Sequence, residues 1–170
     1  SSVLVMHKKL YKLFVTGEKS FVKLSLTGES DTSGKKEAKY ITKHEPVTSE
    51  IWQDHLDGKY GIALKPEFGD ECLWSCIDLD PVDYKNYSAQ KYIDIIKKYN
   101  LPFVPVLSKS GGLHFFVFFT DSIKIDKVKQ KLQEFNEQYF MANEIYPCNK
   151  TINMPYYNMN ATMEFAYNDN

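Results

Sequence analysis

Seven residues, Leu113 to Phe119 (LHFFVFF), restrict the folds open to this chain more than any other stretch. Leucine, valine and four phenylalanines leave no polar face, so the segment cannot alternate as a half-solvated strand would. A short apolar run rich in aromatic and β-branched residues, opened by a Gly-Gly pair, predicts a buried core strand. Two details resist that simple reading. His114 sits inside the run, and the turn before it, SKSGG (108–112), is polar and free of bulk. The glycines suit a β-hairpin turn. The same turn offers unshielded backbone N–H groups, two hydroxyls and one ammonium, an inventory that suits a phosphate. His114 would donate to a phosphate oxygen, ligate a metal or rest as a satisfied core histidine.

The remaining pattern supplies the layers. Val5–Phe14 reads as a short helix, and Phe21–Leu26 alternates as a strand. Thr27–Lys39 (TGESDTSGKKEAK) is polar and glycine-containing, and is expected to be a loop. TSEIWQDHLDG reads as a helix capped by Thr48 or Ser49 and ended by Gly58. Tyr60–Lys65 and Leu73–Leu79 are predicted strands separated by PEFGDE. Ser88–Tyr99 is a predicted helix with Tyr92, Ile95, Ile96 and Tyr99 on one face. Phe103–Leu107 pairs in expectation with Leu113–Phe119. Asp126–Phe140 is a predicted helix with Val128, Leu132, Phe135 and Tyr139 as its buried stripe, and NEIYP offers a last short strand. Strands and helices therefore mix in layers. The 170 residues suit one domain, 1–170, in two lobes. The end, TMEFAYNDN, has no closing element, which suggests a piece of a longer chain.

Composition narrows the classes. No run of 18 apolar residues is present and the N-terminus lacks signal-peptide features, so a soluble, cytoplasmic protein without membrane contact is expected. Three cysteines without a CxxC pair argue against a disulfide scaffold or a four-ligand zinc site. Cys72 and Cys76 read as small buried hydrophobes. The net charge of −1 hides a gradient: residues 1–43 carry nine lysines against four acids, and residues 44–100 carry six against eleven. A basic third beside an acidic middle suits an anionic polymer next to bound cations, or a solvated lysine surface. All 21 basic residues are lysine, so contacts to phosphate must be flexible point charges.

Three constellations carry chemistry. In WSCIDLDPVDY, Asp78 and Asp80 fall on one face of a strand while Ile77 and Leu79 face the core. Two carboxylates so close repel unless a cation joins them, and hard oxygen ligands favour Mg²⁺ or Mn²⁺ over zinc. A solvent-facing strand end would explain them equally. The SKSGG turn with His114 is the second. The third is NEIYPCNKTINMPYYN, in which Glu144 would be a third carboxylate ligand or a strand cap. Lys150, Asn153, Tyr156 and Tyr157 follow it.

Taken in order, the hDhD strand (Ile77–Asp80), the SxSGGxH strand (Ser108–His114) and the acid before INMPYYN resemble the archaeo-eukaryotic primase superfamily. The likeness is nearest to the primase-polymerase domains of phages, plasmids and other mobile elements. It extends over roughly residues 45–167, with VTSEIWQDHLDGKYGIAL ahead of the acidic strand and TMEFAYNDN after the third motif. The resemblance implies an α+β fold, a catalytic core with an RRM-like sheet plus a small N-terminal α/β lobe. It implies template-directed nucleotidyl transfer on single-stranded DNA with NTPs or dNTPs and two divalent ions, Mg²⁺ or Mn²⁺. Asp78, Asp80 and Glu144 would ligate metal; Ser108, Lys109, Ser110 and His114 would hold the triphosphate; Lys150 would be a basic phosphate contact. Fusion to, or association with, a helicase is common in such proteins. Two rivals use the same residues differently: a metal-dependent nuclease, and a non-catalytic single-stranded nucleic-acid-binding module.

Overall fold

The computed structural model describes residues 6–17, 19–30, 32 and 36–160. The chain divides into two compact units. One comprises 1–14, 18–65 and 151–170, and the other 15–17 and 66–150.

The second unit is built around the predicted core strand, which is buried on both faces at its start. Its elements are β4 (Glu67–Phe68), β5 (Glu71–Leu79), α3 (Ala89–Lys98), β6 (Val104–Leu107), β7 (Leu113–Lys124), α4 (Ile125–Phe135) and β8 (Glu144–Tyr146). The sheet runs β4-β5-β7-β6, with β8 on β5 as well, and every pairing is antiparallel. From β5 to β8 the order is strand, helix, two strands, helix, strand, with spatial order β8-β5-β7-β6. This is the split βαβ plan of an RRM-like sheet, and the fold is α+β.

Alternation along β5 and β7 decides what each face does. Ile77, Leu79, Leu113, Phe115 and Val117 point to one side, where they form a core with Ile96, Val128, Leu132 and Phe140 from the helical segments. His114 and Phe116 take the opposite parity in β7, yet both are also buried. The run is therefore apolar throughout because both faces are covered. Beyond Phe118 the register with β5 shifts, and pairing resumes at Ile123 with Cys72. The strand thus continues past Phe119, with polar Thr120 to Ser122 taken up by the irregularity. Cys72 and Cys76 are buried free thiols, as expected. Burial raises the Cys72 pKa to about 11, which makes it inert.

The predicted helix 126–140 changes type before its end. α4 stops at Phe135, and Asn136–Phe140 is a π-helical turn closed by left-handed Met141. The Asn136 side chain accepts from the Ala142 N–H (2.8 Å) and donates to its carbonyl (3.1 Å). A π-turn inserts one residue into the helical period. Phe140 therefore joins the core fully and stacks on Phe115 with centroids 4.2 Å apart, while Tyr139 packs against that core half-buried.

The first unit has a four-stranded sheet, β2-β1-β3-β9, from β1 (Phe21–Ser30), β2 (Lys36–Lys43), β3 (Gly61–Leu64) and β9 (Ile152–Asn153). Helices α1 (Met6–Leu13) and α2 (Ser49–Leu56) complete it. The lobe is α/β as expected, but it is not wholly N-terminal, since β9 returns to it from beyond residue 150. Most of the stretch expected as a loop, Thr27–Lys39, is strand. Leu26 pairs with Ala38 and Ser30 with Lys36, and a register shift between them absorbs Gly28 at φ +82°. A polar, glycine-bearing segment thus stays in the ladder by bulging. TMEFAYNDN lies outside the described residues.

Thr48 caps α2 by accepting from the Ile51 N–H (3.2 Å), and Gly58 at φ +75° ends it. On its inner face Trp52 stacks on Phe14 (5.6 Å), and His55 is 1% exposed. His55 Nδ1 accepts from the Ile62 N–H (3.1 Å), and Nε2 donates to the Pro155 carbonyl (2.8 Å). One neutral imidazole thereby ties α2 to β3 and to the segment after β9. Burial lowers its pKa to about 4. The unfolded chain therefore binds the proton more readily, and stability present above pH ~6.5 is lost as pH falls toward 4, by about 3 kcal/mol in all. Urea midpoints across that range should fall more steeply for the wild type than for His55→Gln, which starts lower but has no imidazole to protonate.

Candidate active site

The pairing of β5 with its two neighbours sets the site. Asp78 lies opposite His114 on β7 and opposite Glu144 on β8. Three of the residues singled out from sequence therefore stand in one row across the sheet: Glu144, Asp78, His114. Directly opposed residues have Cβ atoms roughly 5 Å apart, and like charges there destabilise. Each carboxylate of the Glu144–Asp78 pair has a basic partner. His114 Nε2 is 3.3 Å from Asp78 Oδ1, and Lys150 Nζ is 3.2 Å from Glu144 Oε2. The His114 ring is also edge-on to Phe116, with centroids 5.9 Å apart. His114 is thus both a near-buried residue and a partner of an acid.

Asp80 stands apart. β5 ends at Leu79, and Asp80 is exposed just beyond it. Its N–H donates to Asn143 Oδ1 (2.8 Å), and the Asn143 N–H donates to the Asp78 carbonyl (3.2 Å), so one asparagine fastens the strand end. The Tyr84 hydroxyl donates to Asp80 Oδ1 at 2.8 Å. Burial and the Asp80 contact raise the Tyr84 pKa, which keeps the hydroxyl protonated. Neither Asn143 nor Tyr84 stood out from sequence. Tyr84 lies four residues after Asp80 in WSCIDLDPVDY, but nothing in the spacing said that its hydroxyl would turn back.

The SKSGG segment is a β-hairpin turn between β6 and β7. Ser108 N–H donates to the Gly112 carbonyl (2.9 Å) and Gly111 N–H to the Ser108 carbonyl (3.0 Å), so two N–H groups are used inside the turn. Lys109 and Ser110 are exposed at its tip. Gly111 requires its φ of +93°. Gly112 answers to a different demand, because a Cβ there would collide with the Leu79 carbonyl oxygen and lie 3.2 Å from Pro81. The turn is thereby packed against the end of the acidic strand.

Asn153, Tyr156 and Tyr157, grouped with Glu144 by sequence, belong to the first unit. Asn153 pairs with Ala63, and Tyr157 donates to the Gly58 carbonyl (3.2 Å). The carboxylate oxygens of Asp78, Asp80 and Glu144 suit a hard divalent cation, and Asp78 and Glu144 are strand neighbours. Among the described residues no three His, Cys, Asp or Glu side chains converge as a ligand group. Asp78, Glu144 and Asp80 turn instead to His114, Lys150 and Tyr84. The donor set fits such an ion in chemistry, and gathering it requires those contacts to yield.

A family model for the archaeo-eukaryotic primase domain of the TOTE conflict system matches residues 18–150. The match starts earlier than the likeness at 45–167, takes in β1 and β2, and closes at Lys150. It includes Asp78, Asp80, the 108–112 turn, His114, Glu144 and Lys150. No curated protein matches the chain. Domains of this family have primase or nucleotidyltransferase-type function, act on nucleic acid and nucleoside triphosphates, and are generally dependent on divalent metal. Among the described residues no helix is long and apolar enough to cross a membrane. With most of its length inside the match, the chain belongs to the archaeo-eukaryotic primase domain family of the TOTE conflict system.

Proposed function

We propose that residues 1–170 form one two-lobed catalytic domain that synthesises nucleic acid on a single-stranded DNA template, as a primase or primer-extending polymerase using NTPs or dNTPs. The observation that carries this reading is the row Glu144–Asp78–His114, with the Ser108–Gly112 turn packed at the end of the Asp78 strand. Acids and a phosphate-type turn meet at one corner of the sheet, as nucleotidyl transfer needs and simple nucleic-acid binding does not.

In this reading Asp78, Asp80 and Glu144 hold two divalent ions, Mg²⁺ or Mn²⁺. Such ions would supply charge neutralisation for the triphosphate and acidify the 3′-hydroxyl. The chain's own groups do the positioning. Ser108 and Ser110 hydroxyls and the Lys109 ammonium bind phosphate oxygens, with Lys109 as a mobile point charge. His114 orients the Asp78 carboxylate and donates to the triphosphate. Lys150 balances Glu144 and reaches phosphate when that acid turns to metal. Positioning and charge compensation carry the rate, and no general base is required. A helicase partner would supply the single-stranded template.

The test is synthesis on a single-stranded template with nucleotides and Mn²⁺. Asp78→Ala and Asp80→Ala should each lose more than the ~10–100-fold that removing a mere supporting group around a metal costs. Product from either variant at the wild-type level would sink the polymerase reading, and loss of input DNA without nucleotides would favour a nuclease. Calorimetry of a nucleoside triphosphate with Mg²⁺ addresses His114. His114→Ala should bind about 1.5–3 kcal/mol more weakly, the range for a hydrogen bond to a charged group. Unchanged affinity in a folded variant would remove His114 from the nucleotide site.

A further inference from the structure

Asp80 differs from the other two acids in its partner. Asp78 faces an imidazole and Glu144 an ammonium, whereas Asp80 is held by a neutral hydroxyl. That hydroxyl is well anchored. Tyr84 opens a short 3₁₀ turn, Tyr84–Asn86, capped by Asp83, whose carboxylate accepts from the Lys85 N–H (3.0 Å) and the Asn86 amide (2.6 Å). Its ring is edge-on to Tyr87 (5.8 Å), Tyr87 lies against Tyr92 (6.2 Å), and Tyr92 against core Phe115 (6.1 Å). The same ring passes 3.7 Å from where a Cβ on Gly111 would stand, so it lies against the 108–112 turn. The Asp80 backbone is fixed separately by Asn143. The side-chain bond can therefore break without moving the strand.

We infer that Tyr84 is a latch: its hydroxyl holds Asp80 Oδ1 and competes there with a divalent cation. This rests on the reading of Asp80 as a metal ligand. One oxygen of Asp80 has a lone pair committed to Tyr84, and a cation arriving there competes for it. Tyr84 is a positioning residue, acting through Asp80.

The proposal has an unusual sign, because removing a contact should tighten binding. Tyr84→Phe keeps the ring against Tyr87 and deletes the competitor. Mn²⁺ alone, titrated calorimetrically, should bind Tyr84→Phe roughly threefold to tenfold more tightly than wild type, as expected for one net hydrogen bond. Asp80→Ala should bind more weakly than wild type, and adding Tyr84→Phe to it should bring no gain. If Asp80→Ala weakens binding but Tyr84→Phe binds no better than wild type, the latch is overturned while Asp80 remains a ligand. A purely structural role for Tyr84 gives that same result, since a loosened site binds less well. If Asp80→Ala binds as wild type does, or no protein takes up Mn²⁺, the reading of Asp80 as a ligand fails and the latch falls with it.

Discussion

The ladder between β5 and β7 is the constraint on which the second unit and its candidate site depend. Ile77 faces Phe115, Asp78 faces His114 and Leu79 faces Leu113. Because side chains alternate with a period of two, this register sends the apolar residues into the helix-covered core and the acid and imidazole to the other side. A slip by one residue would exchange the two sets, burying a carboxylate among Phe103, Phe115 and Phe140. Core packing therefore enforces the site. The apolar faces hold the register, and the register places Asp78 between an acid and a base.

The site is a set of compensated charges. An opposed Asp–Glu pair is unfavourable in isolation, and the structure offsets it with His114 on one flank and Lys150 on the other. The Lys150–Glu144 pair is solvent-exposed and contributes little by itself, whereas the His114–Asp78 contact is largely buried.

Much of this was legible in the sequence, because period and composition report directly on burial. The run LHFFVFF announced a core strand, and IDLD announced that Ile77 and Leu79 would face the core and Asp78 would not. The Thr48 cap and Gly58 stop defined α2 for the same local reasons. Other features depended on what a linear pattern does not encode. The insertion of one residue at Asn136–Phe140 depends on a side chain reaching forward to Ala142, and it added Phe140 to the core beside a half-buried Tyr139. The bulge at Gly28 kept in the sheet a segment whose composition said loop. In the site, Asp78, His114 and Glu144 could be named individually, but their alignment required the register of three strands. Tyr84 and Asn143 were invisible because their roles rest on where a turn points. INMPYYN follows Glu144 closely in sequence yet falls in the first unit, because the chain leaves one unit after Lys150 and joins the other's sheet at Ile152.

Gly112 gives the pair of glycines a second meaning. Gly111 supplies a backbone angle, but Gly112 supplies missing volume, because any Cβ would collide with the Leu79 carbonyl. The gap between the acid-bearing strand and the polar turn is therefore set by hard atomic radii. It acts as a gauge block: the two halves of the corner are spaced by contact, so they need no long-range brace to stay in calibration.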